Sequence, residues 1–269
     1  ERRRGLSLIL TTRGDVALLV LDRPRRGNAL RPEDMLRLAE LLDEAAAGGA
    51  RALVISGAGD AVFCSGYDLD HIDSAAVPAD HEGPAAWSDR FPELVEAIAA
   101  AERFPGPLVA ALNGHAIGGG ALLATLCDLR IARPGLRFQI PATRIGVLYP
   151  LEGMRRLSAT IGLGRATELL LLGDSVDTER GLAWGLYNEI VPAPVLQERA
   201  LAVATELANR APLALRGIRD LLRGLVDGRP EAELQTLHDA WTRRCVGSAD
   251  LVEGIEAART RRPPRFEGR

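Results

Sequence analysis

The chain has 269 residues, of which 47% are hydrophobic and 26% charged, and its formal net charge is −3. These values are typical of a globular protein with a sizeable core, arranged as one large domain or two small ones. The charge gives no basic excess for nucleic acid, and the longest apolar runs are too short to span a membrane. Three cysteines without metal-ligand spacing or a disulfide pattern predict a cytoplasmic protein.

The first part of the chain predicts strands that alternate with helices. Val16 to Leu21 predicts a buried strand, residues 31–47 predict a helix that stops at two glycines, and Arg51 to Ser56 predicts the next strand. Residues 87–104 predict a further helix, and Leu108 to Leu112 another buried strand.

Short strands and then helices alone are predicted for the rest of the chain. The strands are 129–132 and 138–140; the helices are 164–172, 178–184 and 195–210, followed by a helical stretch from 212 to about 259. This order predicts an α/β core in residues 1–195 and a helical C-terminal region in residues 196–269.

The stretch from Asn113 to Asp128 reads Asn-Gly-His-Ala-Ile-Gly-Gly-Gly-Ala-Leu-Leu-Ala-Thr-Leu-Cys-Asp and joins a predicted strand to a predicted helix. Three consecutive glycines let the backbone approach a ligand and leave unpaired N–H groups at the helix start. Taken alone, these glycines are better explained by a tight strand-to-helix turn than by a binding site. A second stretch about fifty residues earlier, Ala61-Val-Phe-Cys-Ser-Gly-Tyr-Asp-Leu69, favours a binding site.

Three competing motifs fit the sequence less well. A dinucleotide fingerprint after the strand at 51–56 lacks its third glycine, because Val62 stands there. A nucleophile elbow at Ser65 lacks its first glycine, because Phe63 stands there. His71, Asp73 and His81 lack metal-ligand spacing, so no metal site is predicted.

The two glycine-containing stretches resemble the oxyanion segments of the enoyl-CoA hydratase/isomerase (crotonase) superfamily. Other segments match that family in order: Asp22-Arg-Pro-Arg-Arg-Gly-Asn-Ala-Leu30, Phe138-Gln-Ile-Pro141, Gly185-Leu-Tyr-Asn-Glu-Ile-Val-Pro192 and Arg262-Pro-Pro-Arg-Phe266-Glu-Gly268. The resemblance implies a crotonase-like α/β spiral of ββα units and an acyl-CoA substrate. It also implies a homotrimer or hexamer held by residues 196–269, with no metal and no cofactor beyond the CoA of the substrate.

The resemblance also assigns roles to particular residues. The backbone N–H groups of Tyr67 and Gly119 would bind the thioester carbonyl oxygen, and two fixed donors stabilise the charge of an enolate. The CoA contacts that the resemblance implies are Arg23, Arg25, Arg26, Ala61, Phe63, Asp68, Leu69 and Phe266.

Departures from the family pattern bear on the reaction. Leu122 and Ala142 stand where the hydratases carry their two glutamates, so the resemblance disfavours hydration and leaves isomerisation or decarboxylation. The segment around Tyr149 resembles the methylmalonyl-CoA decarboxylase branch, and Glu152 is the other catalytic candidate there. The alternative is a crotonase homologue that binds acyl-CoA without catalysis.

Overall fold

The computed structural model describes residues 7–71 and 91–269. The strands in this part of the chain are β1 (Leu8–Arg13), β2 (Val16–Leu21), β3 (Ala52–Gly57), β4 (Val62–Cys64), β5 (Leu108–Leu112), β6 (His115–Ile117), β7 (Leu129–Ala132), β8 (Arg137–Gln139), β9 (Ser175–Asp177) and β10 (Glu189–Ile190). The α-helices are α1 (Pro32–Ala47), α2 (Pro92–Arg103), α3 (Gly119–Leu126), α4 (Leu151–Ile161), α5 (Leu163–Leu172), α6 (Thr178–Trp184), α7 (Leu196–Ala208), α8 (Pro212–Val226), α9 (Glu231–Val246) and α10 (Ala249–Thr260).

The strands form two sheets. One sheet has six strands in the order β1-β2-β3-β5-β7-β10, and the other has four in the order β4-β6-β8-β9. The β1–β2 and β8–β9 pairs are antiparallel, and the remaining pairs are parallel. Parallel strands joined through helices confirm the predicted α/β class.

The six-stranded sheet is buried on both faces at its centre. All five residues of β5 are buried, as expected for a parallel strand that is covered on both sides. One face packs against α1, α2 and α3 together with the second sheet, and α7 covers the other face. This arrangement fixes the carboxyl ends of β4 and β6, from which the two glycine-containing loops emerge.

The last four helices differ in how they pack. Leu196, Ala200, Ala204 and Ala208 of α7 are buried against the six-stranded sheet. The helices α8 and α10 instead carry large apolar side chains that are exposed in the single chain, namely Ile218, Leu222, Leu225, Leu251, Val252 and Ile255. The predicted boundary between residues 195 and 196 stays a prediction. No helix in the described part of the chain is long and apolar enough to cross a bilayer.

The structure differs from the predicted helices in two places. The helix predicted for residues 87–104 is present as α2, and its predicted residues 87–90 lie outside the described ranges. Helix α4 was not predicted. It begins after Pro150 and buries Gly153, Leu157 and Ile161, which are spaced four residues apart and therefore share one face.

Candidate active site

Two loops meet where β4 and β6 end. The first passes through Gly66, whose φ of 94° suits glycine, to Tyr67. The second passes through Gly118, with φ 54° and ψ −115°, into the first residue of α3, Gly119. Side chains disfavour these positive φ angles, so glycine is required at both turns.

The loops approach each other backbone to backbone. A Cβ atom placed on Gly66 would lie 2.6 Å from the N atom of Gly119, and one placed on Gly119 would lie 3.3 Å from the N atom of Tyr67. A Cβ on Gly120 would lie 2.0 Å from the carbonyl oxygen of Cys64. Glycine at 66 and 120 is therefore what allows the N–H groups of Tyr67 and Gly119 to lie side by side.

Both of these N–H groups are unpaired within the described part of the chain. The backbone around Tyr67 is held by Leu30, whose N–H donates to the Gly66 oxygen at 2.8 Å and whose oxygen accepts from Asp68 N–H at 2.9 Å. Within residues 7–71 and 91–269, the N–H groups of Tyr67 and Gly119 themselves have no hydrogen-bond acceptor. Two adjacent unpaired donors, one of them at a helix N-terminus, can stabilise a negatively charged oxygen.

A cavity of about 230 Å³ opens beside these donors. Most side chains around it are apolar, and the polar ones belong to Ser65, Tyr67 and Tyr149. The apolar side chains are Met35, Leu69, Phe91, Leu94, Ile117, Leu122, Ile140, Pro141, Ala142, Ile145, Val147, Leu148 and Pro150. No carboxylate is among the described residues that line it, so none of them would repel a negative charge on an acyl group bound next to a polarised carbonyl.

Tyr149 lines this cavity and carries a buried hydroxyl. Its side chain is 6% exposed, and its ring packs so closely on Gly153 that a Cβ there would lie 2.5 Å from the ring. The hydroxyl has no hydrogen-bond partner among the described residues. Burial raises the pKa of Tyr149, so the phenol stays protonated and can donate to a ligand.

Comparisons with known proteins identify the family. The family model described as enoyl-CoA hydratase/isomerase matches residues 11–269. The chain belongs to the enoyl-CoA hydratase/isomerase family. It is 34% identical to the "Probable enoyl-CoA hydratase echA6" of Mycobacterium tuberculosis, covering 97% of this chain and 100% of that protein. It is 30% identical to the 2,3-dehydroadipyl-CoA hydratase of Escherichia coli K12, covering 97% and 99%.

A solved structure extends the match to three dimensions. An enoyl-CoA hydratase subunit I from Geobacillus kaustophilus HTA426 superposes with a TM-score of 0.85 at 28% identity, covering 98% of this chain and 99% of that chain. The predicted crotonase-like fold is therefore confirmed, and the chain is a crotonase-superfamily protein acting on acyl-CoA.

In this crotonase-superfamily protein, the predicted catalytic residues do not all lie together. Tyr67, Gly119 and Tyr149 all line the cavity, and Glu152 does not. The Glu152 carboxylate lies 2.5 Å from Nε of Arg156, which also lies 2.7 Å from Glu102. Burial raises the pKa of Glu152, and the positive charge of Arg156 opposes that rise. Leu122 and Ala142 also line the cavity, and their correspondence to the hydratase glutamates stays a prediction.

Two of the predicted CoA-contacting arginines are paired within the chain. Arg23 lies 2.9 Å from the Asp68 carboxylate and donates to the Ala29 oxygen at 2.7 Å. Although burial opposes ionisation, the hydrogen bond from Arg23 holds the pKa of Asp68 below its usual range. Arg26 pairs with Asp70 and lies 3.5 Å from Asp68. Arg25 is exposed and forms no ion pair within the described ranges, so it has the freest charge of the three.

The other predicted CoA contacts differ in exposure. Leu69 is exposed and lines the cavity, whereas the Phe63 side chain is completely buried, so only its backbone can contact a ligand. Ala61 is exposed, and its carbonyl oxygen accepts from His115 N–H at 3.0 Å. Phe266 packs on Gly254 of α10 rather than at the cavity. These CoA contacts stay predictions.

One residue near the cavity was missed from the sequence. Glu93 in the first turn of α2 accepts a hydrogen bond from the Tyr67 hydroxyl at 2.7 Å. The feature of the sequence that could have pointed to Glu93 is its position directly after Phe91-Pro92, at the start of a helix. Of the histidines and aspartate considered as ligands, His71 is exposed and Asp73 and His81 lie outside the described ranges. In the described part of the chain, no group of three or more His, Cys, Asp or Glu residues could hold a metal ion.

Proposed function

We propose that this protein decarboxylates a malonyl-type acyl-CoA thioester through an enolate, and that it needs no cofactor beyond the CoA of the substrate. The observation that carries this proposal is that Tyr149, whose buried hydroxyl has no hydrogen-bond partner within the described ranges, lines the same cavity as two N–H donors that are unpaired within those ranges.

The reaction needs an electron sink rather than a strong base. The bond between Cα and the carboxylate carbon breaks, CO2 leaves, and the electron pair moves into the thioester carbonyl to form an enolate. The N–H groups of Tyr67 and Gly119 would bind the enolate oxygen, an interaction that is strongest when that oxygen is charged. A proton from water then adds to Cα.

Tyr149 would orient the group that leaves. Its protonated hydroxyl can donate a hydrogen bond to the substrate carboxylate and hold it out of the thioester plane, where the breaking bond aligns with the carbonyl π system. The apolar side chains of Leu122 and Ala142 surround the carboxylate with a poorly solvating wall, which favours neutral CO2 over the anion.

Hydration and isomerisation are supported less well. The hydratases among the relatives act by adding water, and that chemistry needs a group that activates a water molecule. Leu122 and Ala142 cannot do so, and Glu152, the carboxylate nearest in sequence to Tyr149, is ion-paired to Arg156 outside the cavity lining. Isomerisation needs one base that takes up and returns a proton, and the described residues that line the cavity offer no carboxylate for it.

A second candidate is acyl-CoA binding without turnover. The observation that favours it is the same lack of a carboxylate among the described lining residues. The two candidates differ in one respect only, since both place the thioester carbonyl at the two N–H donors but only the first releases CO2.

The test is turnover of a panel of CoA thioesters that includes methylmalonyl-CoA and crotonyl-CoA, with products separated by chromatography. We expect CO2 release from the malonyl-type thioester and very slow hydration of crotonyl-CoA. Fast hydration would contradict the assignment. Binding by calorimetry without turnover of any thioester would establish the second candidate instead.

The chain offers a matched control for Tyr149. Tyr187 is also buried and its hydroxyl also lacks a partner among the described residues, but it does not line the cavity. Tyr149→Phe should lower kcat at least about tenfold, the loss expected for one hydrogen bond to a charged group. Tyr187→Phe and Glu152→Gln should leave kcat near the wild-type value. Equal effects of the two tyrosine variants would show that Tyr149 acts only through packing.

A further inference from the structure

Glu93 is a buried carboxylate beside the cavity that the proposed chemistry does not use. It is 9% exposed, and its neighbours Phe91 and Leu94 line the cavity. Within the described ranges, no Lys, Arg or His forms an ion pair with it. Removing a carboxylate from water is costly unless hydrogen bonds compensate. The residue that donates a hydrogen bond to Glu93 is therefore needed to stabilise its buried carboxylate.

That partner is Tyr67. The Tyr67 hydroxyl donates to Oε1 of Glu93 at 2.7 Å, a hydrogen bond strengthened by the charge of its acceptor. The N-terminal end of α2, where Glu93 lies, also favours a negative charge. Burial, and then the hydrogen bond to Glu93, raise the pKa of Tyr67, so the phenol stays protonated and remains the donor.

The same residue therefore carries an oxyanion donor on its backbone and an anchored phenol on its side chain. Its N–H belongs to the peptide that follows Gly66, a residue with wide conformational freedom. The Leu30 hydrogen bonds hold this peptide from the backbone side. Glu93 holds the far end of the side chain, and the Phe91 ring packs edge-on against the Tyr67 ring with centroids 5.4 Å apart.

We propose that Glu93 is a positioning residue: by anchoring the Tyr67 hydroxyl, it fixes the Tyr67 N–H in the direction of the thioester oxygen. This inference rests on the part of the proposed function that places the thioester carbonyl at Tyr67 and Gly119, and it does not depend on decarboxylation. Small displacements of a catalytic donor cost much of its effect, so loss of the anchor should weaken polarisation of the carbonyl while binding persists.

The experiment measures the carbonyl stretch of a bound, unreactive acyl-CoA labelled with ¹³C at the thioester carbon, by difference infrared spectroscopy. In the wild type the band should lie below its frequency in water, because the two N–H donors polarise the carbonyl. Glu93→Leu should lose much of this shift, whereas Glu93→Gln, whose amide oxygen still accepts from the phenol, should retain it. Tyr67→Phe should behave as Glu93→Leu does.

Kinetics and a control complete the design. Glu93→Leu should lower kcat about tenfold with little change in KM, since misdirection of a donor weakens the transition state more than ground-state binding. Glu96→Leu on the same helix removes a carboxylate that pairs with Arg103 instead, and it should change neither measurement. In the double variant Tyr67→Phe/Glu93→Leu, the loss should equal that of either single variant.

Several outcomes would overturn the inference. An unchanged carbonyl shift in a folded Glu93→Leu variant would do so, as would additive losses in the double variant. Absence of any shift in the wild type would overturn both this inference and the placement of the carbonyl. A wild-type shift without turnover of any thioester would refute decarboxylation alone, and the infrared comparison of the variants would still decide the role of Glu93.

Discussion

Replacement of Gly119 by proline tests the oxyanion site most directly. Gly119 is the first residue of α3, a position whose N–H has no partner within the helix. Proline is tolerated there, because its missing N–H removes no helical hydrogen bond and its fixed φ suits a helix start. Gly119→Pro should therefore delete one of the two N–H donors without breaking a hydrogen bond of α3.

The magnitude follows from the loss of one donor. Removing a single oxyanion donor costs on the order of 3 kcal/mol, which corresponds to a fall in kcat of roughly 150-fold. Gly119→Ala is the matched control, since it adds the same Cβ atom but keeps the N–H. That Cβ would lie 3.2 Å from Cα of Gly66 and 3.3 Å from N of Tyr67, contacts that small shifts can relieve. The alanine variant should therefore lose less than about tenfold.

The assay is kcat on the thioester that the panel identifies, together with circular dichroism to confirm folding. The infrared shift of a bound acyl-CoA gives a second comparison that needs no turnover. If folded Gly119→Pro has the kcat and the carbonyl shift of Gly119→Ala, the Gly119 N–H does not bind the oxygen, and the site described here is wrong.

Three further predictions concern stability, assembly and reactivity. Arg23 lowers the folded-state pKa of Asp68. The interaction between them therefore stabilises the folded protein above the unfolded pKa of about 3.9, and this stabilisation is lost as the pH falls through the folded-state pKa. Thermal unfolding between pH 3 and 7 should therefore show a smaller acid loss for Asp68→Asn than for the wild type. We expect the exposed apolar faces of α8 and α10 to be covered in the trimer or hexamer that the family resemblance implies, and a monomer by light scattering at micromolar concentration would contradict this. Burial raises the pKa of both Cys64 and Cys127 to about 12, so a thiol reagent at pH 8 should label at most Cys245 before unfolding.

The long elements of the fold were predictable because their apolar pattern is local. The strand from Val16 to Leu21 is confirmed, and α1 begins one residue later than predicted. The three-residue strands β4 and β6 were not predicted, because they are too short to show a period and pair with each other across about fifty residues of sequence. Pairing with a strand that is distant in sequence, rather than a local sequence pattern, stabilises each of these two strands.

In the candidate site, too, some features could be predicted from the local sequence and others could not. The glycines that allow close backbone contact are visible in sequence, because few other residues adopt their φ angles. The position of Glu152 was not visible, since it depends on α4, which turns that side chain towards Arg156. Glu93 was missed because its partner Tyr67 lies 26 residues away, and the place of Glu93 at a helix start does not by itself reveal that contact.

Arginine side chains of helix α8 bind the C-terminal end of α2. Arg219 of α8 donates to the Phe104 oxygen at 2.9 Å, and Arg223 donates to the Glu102 oxygen, so both satisfy carbonyl groups where α2 ends. The opposite end of the same helix presents Glu93 and Leu94 at the acyl cavity. A chain truncated before α8 would leave these two carbonyl groups of α2 without their arginine partners. We expect this loss to disturb the wall of the cavity that the other end of α2 forms.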